Sequence, residues 1–220
     1  MPEGQLKGPN KICGGAGPLR LRLFAWLMAR CGPHAEQYLG QYKSKLFRDL
    51  SGVVLEIGPG AGANLAYLAK LPVTWIGVEP NRFMEAHLMR EAARLGMKVE
   101  LREGAAERLP VEDSSVDVVI STLVLCSVVD VRAALGEVRR VLKTGGRFLF
   151  IEHVAAGRGT PLRRWQRWIK PLWRKMGDGC EPDRETRADL ESAGFAKVEI
   201  EEFDAPVPLI RPHIAGMGLR

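Results

Sequence analysis

Apolar residues in this chain fall into short, mostly β-branched runs at residues 53–57, 74–78, 98–102, 116–121 and 147–153. Runs of that length and composition predict β-strands. Between them, residues 62–70, 81–95 and 131–142 repeat their apolar positions at helical spacing. Strands alternating with helices imply right-handed crossovers and a largely parallel sheet covered on both faces, an α/β fold. Two further helices are expected before the first strand, near 19–31 and near 33–50. Residues 161–176 predict another, with Pro161 at its start and Pro171 breaking it. The pattern then changes. Asp183 is placed to cap a helix over 184–193, and Gly194 suits its stop. Residues 197–203 and 213–219 read as two strands joined by a proline-rich link, so a hairpin closes a mixed sheet.

A length of 220 residues suits one domain with a substantial core. The division expected is a flexible Gly- and Pro-rich leader over 1–17, N-terminal helices over 18–50, and a main domain over 51–220 with an insert at 157–180. Hydrophobic residues at 46% and charged residues at 26% are ordinary for a globular protein. The net charge of +6 is concentrated: residues 158–175 hold seven basic side chains and no acid. Tryptophans Trp165, Trp168 and Trp173 are interleaved with them. Such a mixture suits stacking on nucleic acid, docking on an anionic membrane, or a lid whose tryptophans wall an apolar pocket. No RNA-binding motif accompanies it, and the lid is the preferred reading. No stretch reaches the ~20 apolar residues of a membrane span. The run 19–30 mixes arginines with Leu, Phe and Trp; it suits a helix packed on the domain or, as a second reading, peripheral contact with a membrane or lipid droplet. Cys13, Cys31, Cys126 and Cys180 form no C-x-x-C pair, so no metal site or disulfide framework is expected and a reducing, cytoplasmic setting is the default.

The chemistry is concentrated after the first strand, in Glu56-Ile57-Gly58-Pro59-Gly60-Ala61-Gly62-Ala63-Asn64. Glycines at alternate positions between a strand and a helix strip a turn of side chains and let a ligand touch the backbone. Gly58, Gly60 and Ala63 formally satisfy the dinucleotide pattern, and Glu79 lies where a carboxylate binds ribose hydroxyls. An NAD enzyme is therefore one reading. Three features turn the choice away from it. Glu56 in the turn would repel a pyrophosphate and attract an ammonium group. The third strand is followed by Glu103-Gly104-Ala105-Ala106-Glu107, and Lys143-Thr144-Gly145-Gly146 joins a helix to the next strand.

This order of motifs resembles the class I S-adenosylmethionine (SAM)-dependent methyltransferases, from about residue 50 to the C-terminus. The resemblance implies a Rossmann-like, seven-stranded mixed sheet with its last strand antiparallel, and N-terminal helices and a helical insert as a lid. It implies S-adenosyl-L-methionine as cofactor and S-adenosyl-L-homocysteine as product. Gly58, Gly60 and Gly62 would lie against the methionine part with Glu56 at its foot, and Asn64 and Pro80 would flank the donor. Glu79 would take the ribose hydroxyls, and Ala106 and Glu107 would meet the adenine. Thr122 and Leu123 would border the methionine end. The family often carries Asp where this chain has Ala105. A narrower resemblance rests on Thr122-Leu123-Val124-Leu125-Cys126-Ser127, Glu152-His153-Val154, Gly177-Asp178-Gly179-Cys180, Arg184-Glu185-Thr186 and Pro212-His213-Ile214. These are similar to methyltransferase-like proteins that include the mammalian microsomal alkyl-thiol S-methyltransferases, and imply a small apolar thiol as acceptor. Quinone- or lipid-like C- and O-methylation, and a non-catalytic SAM-binding or membrane-surface module, are the alternatives.

Methyl transfer from a sulfonium is an in-line displacement, in which positioning carries much of the rate. A thiol is already a few per cent thiolate at neutral pH, so a strong base is optional. His153 is the expected proton-handling residue because an imidazole titrates near neutrality. Asp178 is expected to orient it or receive the proton, His213 to border the substrate pocket, and Cys126 and Cys180 to be buried small residues.

Overall fold

The computed structural model describes residues 17–220, so nearly all of the expected leader lies outside the described residues. Seven strands form one sheet in the order β3-β2-β1-β4-β5-β7-β6. They are β1 (Gly52–Ile57), β2 (Val73–Glu79), β3 (Glu100–Glu103), β4 (Val116–Thr122), β5 (Leu142–His153), β6 (Lys197–Asp204) and β7 (Pro212–Leu219). The first five pair in parallel. β7 enters between β5 and β6 and is antiparallel to both, as expected of the closing hairpin.

The helices are α1 (Pro18–Phe47), α2 (Leu65–Leu68), α3 (Glu85–Leu95), α4 (Val131–Val141), α5 (Pro161–Met176) and α6 (Thr186–Ser192). Alternating strand residues feed two cores. Val54, Trp75, Val118, Ile120 and Leu149 pack with Phe47, Leu65, Leu68, Leu88 and Ala92 from α1, α2 and α3. Leu55, Ile57, Val78, Val119, Phe148 and Phe150 pack with Leu135, Val138 and Leu190 from α4 and α6. The result is three layers, with the sheet buried on both faces.

Four local expectations are corrected. A single helix, α1, replaces the two predicted before β1. Its two halves are both seated, with Ala25 and Leu39 each 1% exposed, so packing overrides the local break signal. α5 runs through Pro171 instead of ending there. Proline at that position frees the carbonyl of Arg167, a residue exposed to solvent, so the helix continues without burying an unpaired acceptor. β5 begins at Leu142, directly from α4, because Gly145 at φ 79° turns the chain within the strand and shifts its register on β4. Asp183 does not cap α6; Glu185 occupies that position without a side-chain cap, and Asp183 pairs with Lys170 on α5 instead.

Candidate active site

The C-terminal ends of β1, β2 and β4 open on one edge of the sheet, where open α/β folds bind ligands. Beyond β1 the turn glycines Gly58, Gly60 and Gly62 have φ of 59°, 54° and 87°, a region that side-chain-bearing residues avoid. A Cβ on Gly58 would lie 2.8 Å from Val124 Cγ2, whereas at Gly60 it would meet open space. The first glycine thus lets the loop after β4 close in, and the second leaves a bare backbone facing the cavity.

Glu56 is 2% exposed at the foot of this turn. Its carboxylate accepts hydrogen bonds from Asn64 Nδ2 (2.9 Å) and Trp75 Nε1 (2.9 Å). Trp75 fits beneath it because Gly77 follows two residues on; a Cβ there would sit 2.3 Å from the indole. Burial pushes Glu56 up to about 7, against the opposing pull of these donors and of Lys43. Glu79 ends β2 and accepts from Gly60 N (3.0 Å) and Asn81 N (2.9 Å), with burial raising its pKa. Asn64 Nδ2 also donates to Thr122 Oγ1 (3.0 Å), while Asn64 Oδ1 is buried with no donor. Glu107 accepts from Val129 N (2.7 Å), bracing the loop before α4. Leu123 stands at φ 58°, held by its N–H to Ile151 O (2.8 Å); a branched residue there stores of order 1–3 kcal/mol of strain.

These groups line one cavity of about 1050 Å³. Glu56, Gly58, Gly60, Gly62, Asn64, Glu79, Pro80, Ala106, Glu107, Thr122 and Leu123 all border it. So does α1, from Arg20 through Phe24, Met28, Glu36 and Leu39 to Lys43. Lys43 is 1% exposed, paired with Glu36, and lies 5.6 Å from the Tyr67 ring centre. Tyr67 Oη donates to Glu36 (2.7 Å), and burial with this carboxylate holds the phenol up at about 12. Lys43, Glu36, Tyr67 and Arg20 escaped sequence reasoning. The signal was a lysine, a glutamate and an arginine inside a helix that reads as mostly surface.

The expected catalytic and pocket residues separate. Asp178 borders the cavity, but its partner is Arg20 Nη2 at 3.0 Å and not His153. Arg20 also reaches Lys175 O (3.0 Å), and Asn81 Nδ2 donates to Leu21 O (3.2 Å), so α1 is tied down on both sides of the cleft. His153 is buried behind the cavity wall, its Nε2 3.0 Å from Cys180 Sγ. Trp173 Nε1 donates to the same sulfur (3.2 Å). Hydrogen bonds from Cys126, His153 and Trp173 pull the Cys180 thiol down, while Cys126 is pushed up.

His213 is also buried, paired across strands with His153 at 6.1 Å between ring centres, and burial lowers it to about 4. It packs against Tyr38 and Phe203 instead of bordering the pocket. Trp165 and Trp168 are 59% and 73% exposed and do not line the cavity. The reason is Gln166, which faces inward and is fully buried. It accepts from Ala156 N (2.8 Å) and donates to Leu209 O (3.1 Å). At 100° per residue, seating position 166 turns 165 and 168 outward and brings 173 back to the inner face, where its indole meets Cys180 and, against expectation, does not line the cavity.

The donor end fits SAM. A buried carboxylate and the unpaired Asn64 Oδ1 offer acceptors to an ammonium group, and Glu79 offers two oxygens to a diol beside a bare glycine backbone. Fold and site together define a class I SAM-dependent methyltransferase. A family model described as "Methyltransferase domain" matches residues 55–150. Human "Thiol S-methyltransferase TMT1B" is 36% identical over 92% of this chain and 88% of its own length. Human "Thiol S-methyltransferase TMT1A" is 36% identical over 91% and 90%. The chain belongs to the family of these TMT1A and TMT1B methyltransferases. Solved structures show the same fold. YcgJ of Bacillus subtilis matches with a TM-score of 0.64 at 20% identity over 82% of this chain and 98% of that one. A geranyl diphosphate methyltransferase in complex with GPP and sinefungin gives 0.65 at 15%, over 82% and 77%.

Proposed function

We propose that this methyltransferase acts on the sulfur of a small apolar thiol. One observation carries the reading: the cavity that begins at Glu56 and Glu79 continues, without a partition, to an apolar wall of Phe24, Met28, Leu39, Leu123 and Val124. The thiol S-methyltransferase relatives support the choice of acceptor atom. SAM supplies an electrophilic methyl group on a sulfonium. The chain's own work is to hold and aim. Glu56 and Asn64 grip the amino-acid end, Glu79 the ribose, and Ala106 with Glu107 border the base. Phe24 and Met28 exclude water and press an apolar acceptor against the donor, where a reacting pair must approach within about 3–3.5 Å. The thiol loses its proton readily, since a few per cent is ionised at neutral pH. Asp178, facing the same cavity and held by Arg20, is placed to receive it.

A second surface role is favoured by exposure. Leu19, Leu23, Trp26 and Leu27 on α1 and Trp165, Trp168, Leu172 and Met176 on α5 all stand in solvent. Interleaved arginines make the outer side of each helix suited to peripheral contact with a membrane or lipid droplet, reached from a cytoplasmic setting. Among the described residues no helix is long and apolar enough to cross a membrane.

The deciding experiment is a radiolabelled-methyl assay over alkyl and aryl thiols, hydroquinones, amines and lipids. Label on thiol sulfur is the expected result. Label confined to a quinone ring or a lipid oxygen overturns the thiol assignment and leaves the methyltransferase intact.

A further inference from the structure

We propose that Cys126, His153 and Cys180 form a zinc site that fastens the turn after α5 to the strand ends behind the acceptor side of the cavity. The three residues come from three segments: the loop after β4, the last residue of β5 and the turn after α5. Successive members lie 27 positions apart, so no spacing motif announces them. The fold nevertheless brings all three donor atoms within 4.8 Å of one another.

The donors suit zinc in number, softness and charge. Two sulfurs and one imidazole nitrogen select a borderline-soft cation over magnesium or calcium. Zinc holds sulfur at about 2.3 Å and nitrogen at about 2.0–2.1 Å, which puts tetrahedral donors roughly 3.6–3.8 Å apart. His153 Nε2 and Cys180 Sγ stand at 3.0 Å, so that pair opens by about half an ångström to admit the ion. Cys126 and His153 are each 2% exposed. Two thiolates in such a place are costly alone, but with a dication and a neutral imidazole the cluster carries no net charge. The Trp173 indole N–H, 3.2 Å from Cys180 Sγ, supplies the outer hydrogen bond that thiolate ligands commonly receive. The fourth position is left to a small exchangeable ligand such as water.

The position gives the ion a task. Glu181 N already donates to Cys126 O (2.8 Å), docking the turn on the loop. Leu123, Val124 and Ser127 on one side of the cluster, and Asp178 and Gly179 on the other, line the cavity. A metal joining Cys126 to Cys180 therefore fixes the distance between two parts of the cavity wall. The inference concerns the wall and does not depend on which acceptor is methylated.

The same two sulfurs are the natural pair for a disulfide, and the test separates the two outcomes. The full chain is expressed with zinc supplementation and purified under a phosphine reductant. Metal content, cobalt spectra and intact mass are then measured. Expected are one zinc per chain in the wild type and in the Cys13→Ser/Cys31→Ser variant, and loss of that zinc in Cys126→Ser and Cys180→Ser. Cobalt(II) in place of zinc should give sulfur-to-metal charge-transfer bands and the intense visible bands of a tetrahedral site. SAM titration reports whether the serine variants are folded; should they not fold, the cobalt spectrum of the wild type decides alone. Reduced wild type that binds no zinc or cobalt, zinc retained in folded Cys180→Ser, or a Cys126–Cys180 disulfide persisting under reductant overturns the proposal.

Discussion

The cavity has two ends built on different plans. At the donor end, Glu56, the glycine turn, Asn64 and Glu79 lie within one β-α-β stretch, and their partners, Thr122 apart, lie in or beside the same stretch. At the acceptor end the wall is assembled from α1, the loop after β4 and the turn after α5. Its ties, such as Arg20 to Asp178, join residues 158 positions apart. The donor end is a property of a short sequence, reusable in any protein that holds the same ligand. The acceptor end exists only when the whole chain has folded, which leaves it free to vary in what it accepts.

Perturbations of the two ends should therefore have different signatures. The largest effect is expected for Glu79→Ala. Loss of two charge-assisted contacts to the ribose should weaken SAM by about 100-fold, ~2.7 kcal/mol, in isothermal titration. An unchanged affinity would remove Glu79 from the donor site. A pH series comes next. Glu56 has a folded pKa near 7, above the ordinary carboxylate value, so it favours the ligand-free fold while protonated and that contribution is lost as pH rises through 7. A cationic ligand needs the ionised form. SAM binding should thus tighten roughly tenfold from about pH 6 to about pH 8, with proton release on the acid side. The slope should flatten in Glu56→Gln.

Arg20→Ala tests the other end. Its pair with Asp178 is only partly shielded, so acceptor KM should rise roughly threefold to fivefold while SAM affinity holds. Equal losses in both would show that the ends are not independent. The smallest effect is expected from Trp165→Ala/Trp168→Ala. Turnover of a soluble thiol should stay within about twofold, as for ordinary surface changes, while sedimentation with anionic vesicles falls. A large drop in kcat would return those tryptophans to the site.

The same division explains what could be read from sequence. The parallel core, the antiparallel β7 and the donor-end residues lie in contiguous motifs whose local physics is decisive. The corrected features depend on long-range contacts. Trp165 and Trp168 look like pocket walls until Gln166 claims the inner face of α5 for three backbone groups of distant segments. His153 and Asp178 look like a pair until Arg20 and Cys180 take them separately. Lys43 reads as a surface lysine on a helix and is in fact buried beside Tyr67, because α1 borders the cleft there while Leu39 and Phe47 seat it on the sheet. No periodicity in the chain encodes which side chain a distant loop will choose.

α1 has two faces and one backbone. Phe24 looks into the cavity while Leu23 and Leu27 look outward. A helix moves as a rod, so the fit of an acceptor beneath it and the grip of anything resting on it are not separate quantities. If lying against a surface seats the rod more firmly and so tightens acceptor binding by some factor, acceptor binding must tighten the hold on that surface by the same factor. In that case the surface the protein rests on and the acceptor it takes are thermodynamically one property.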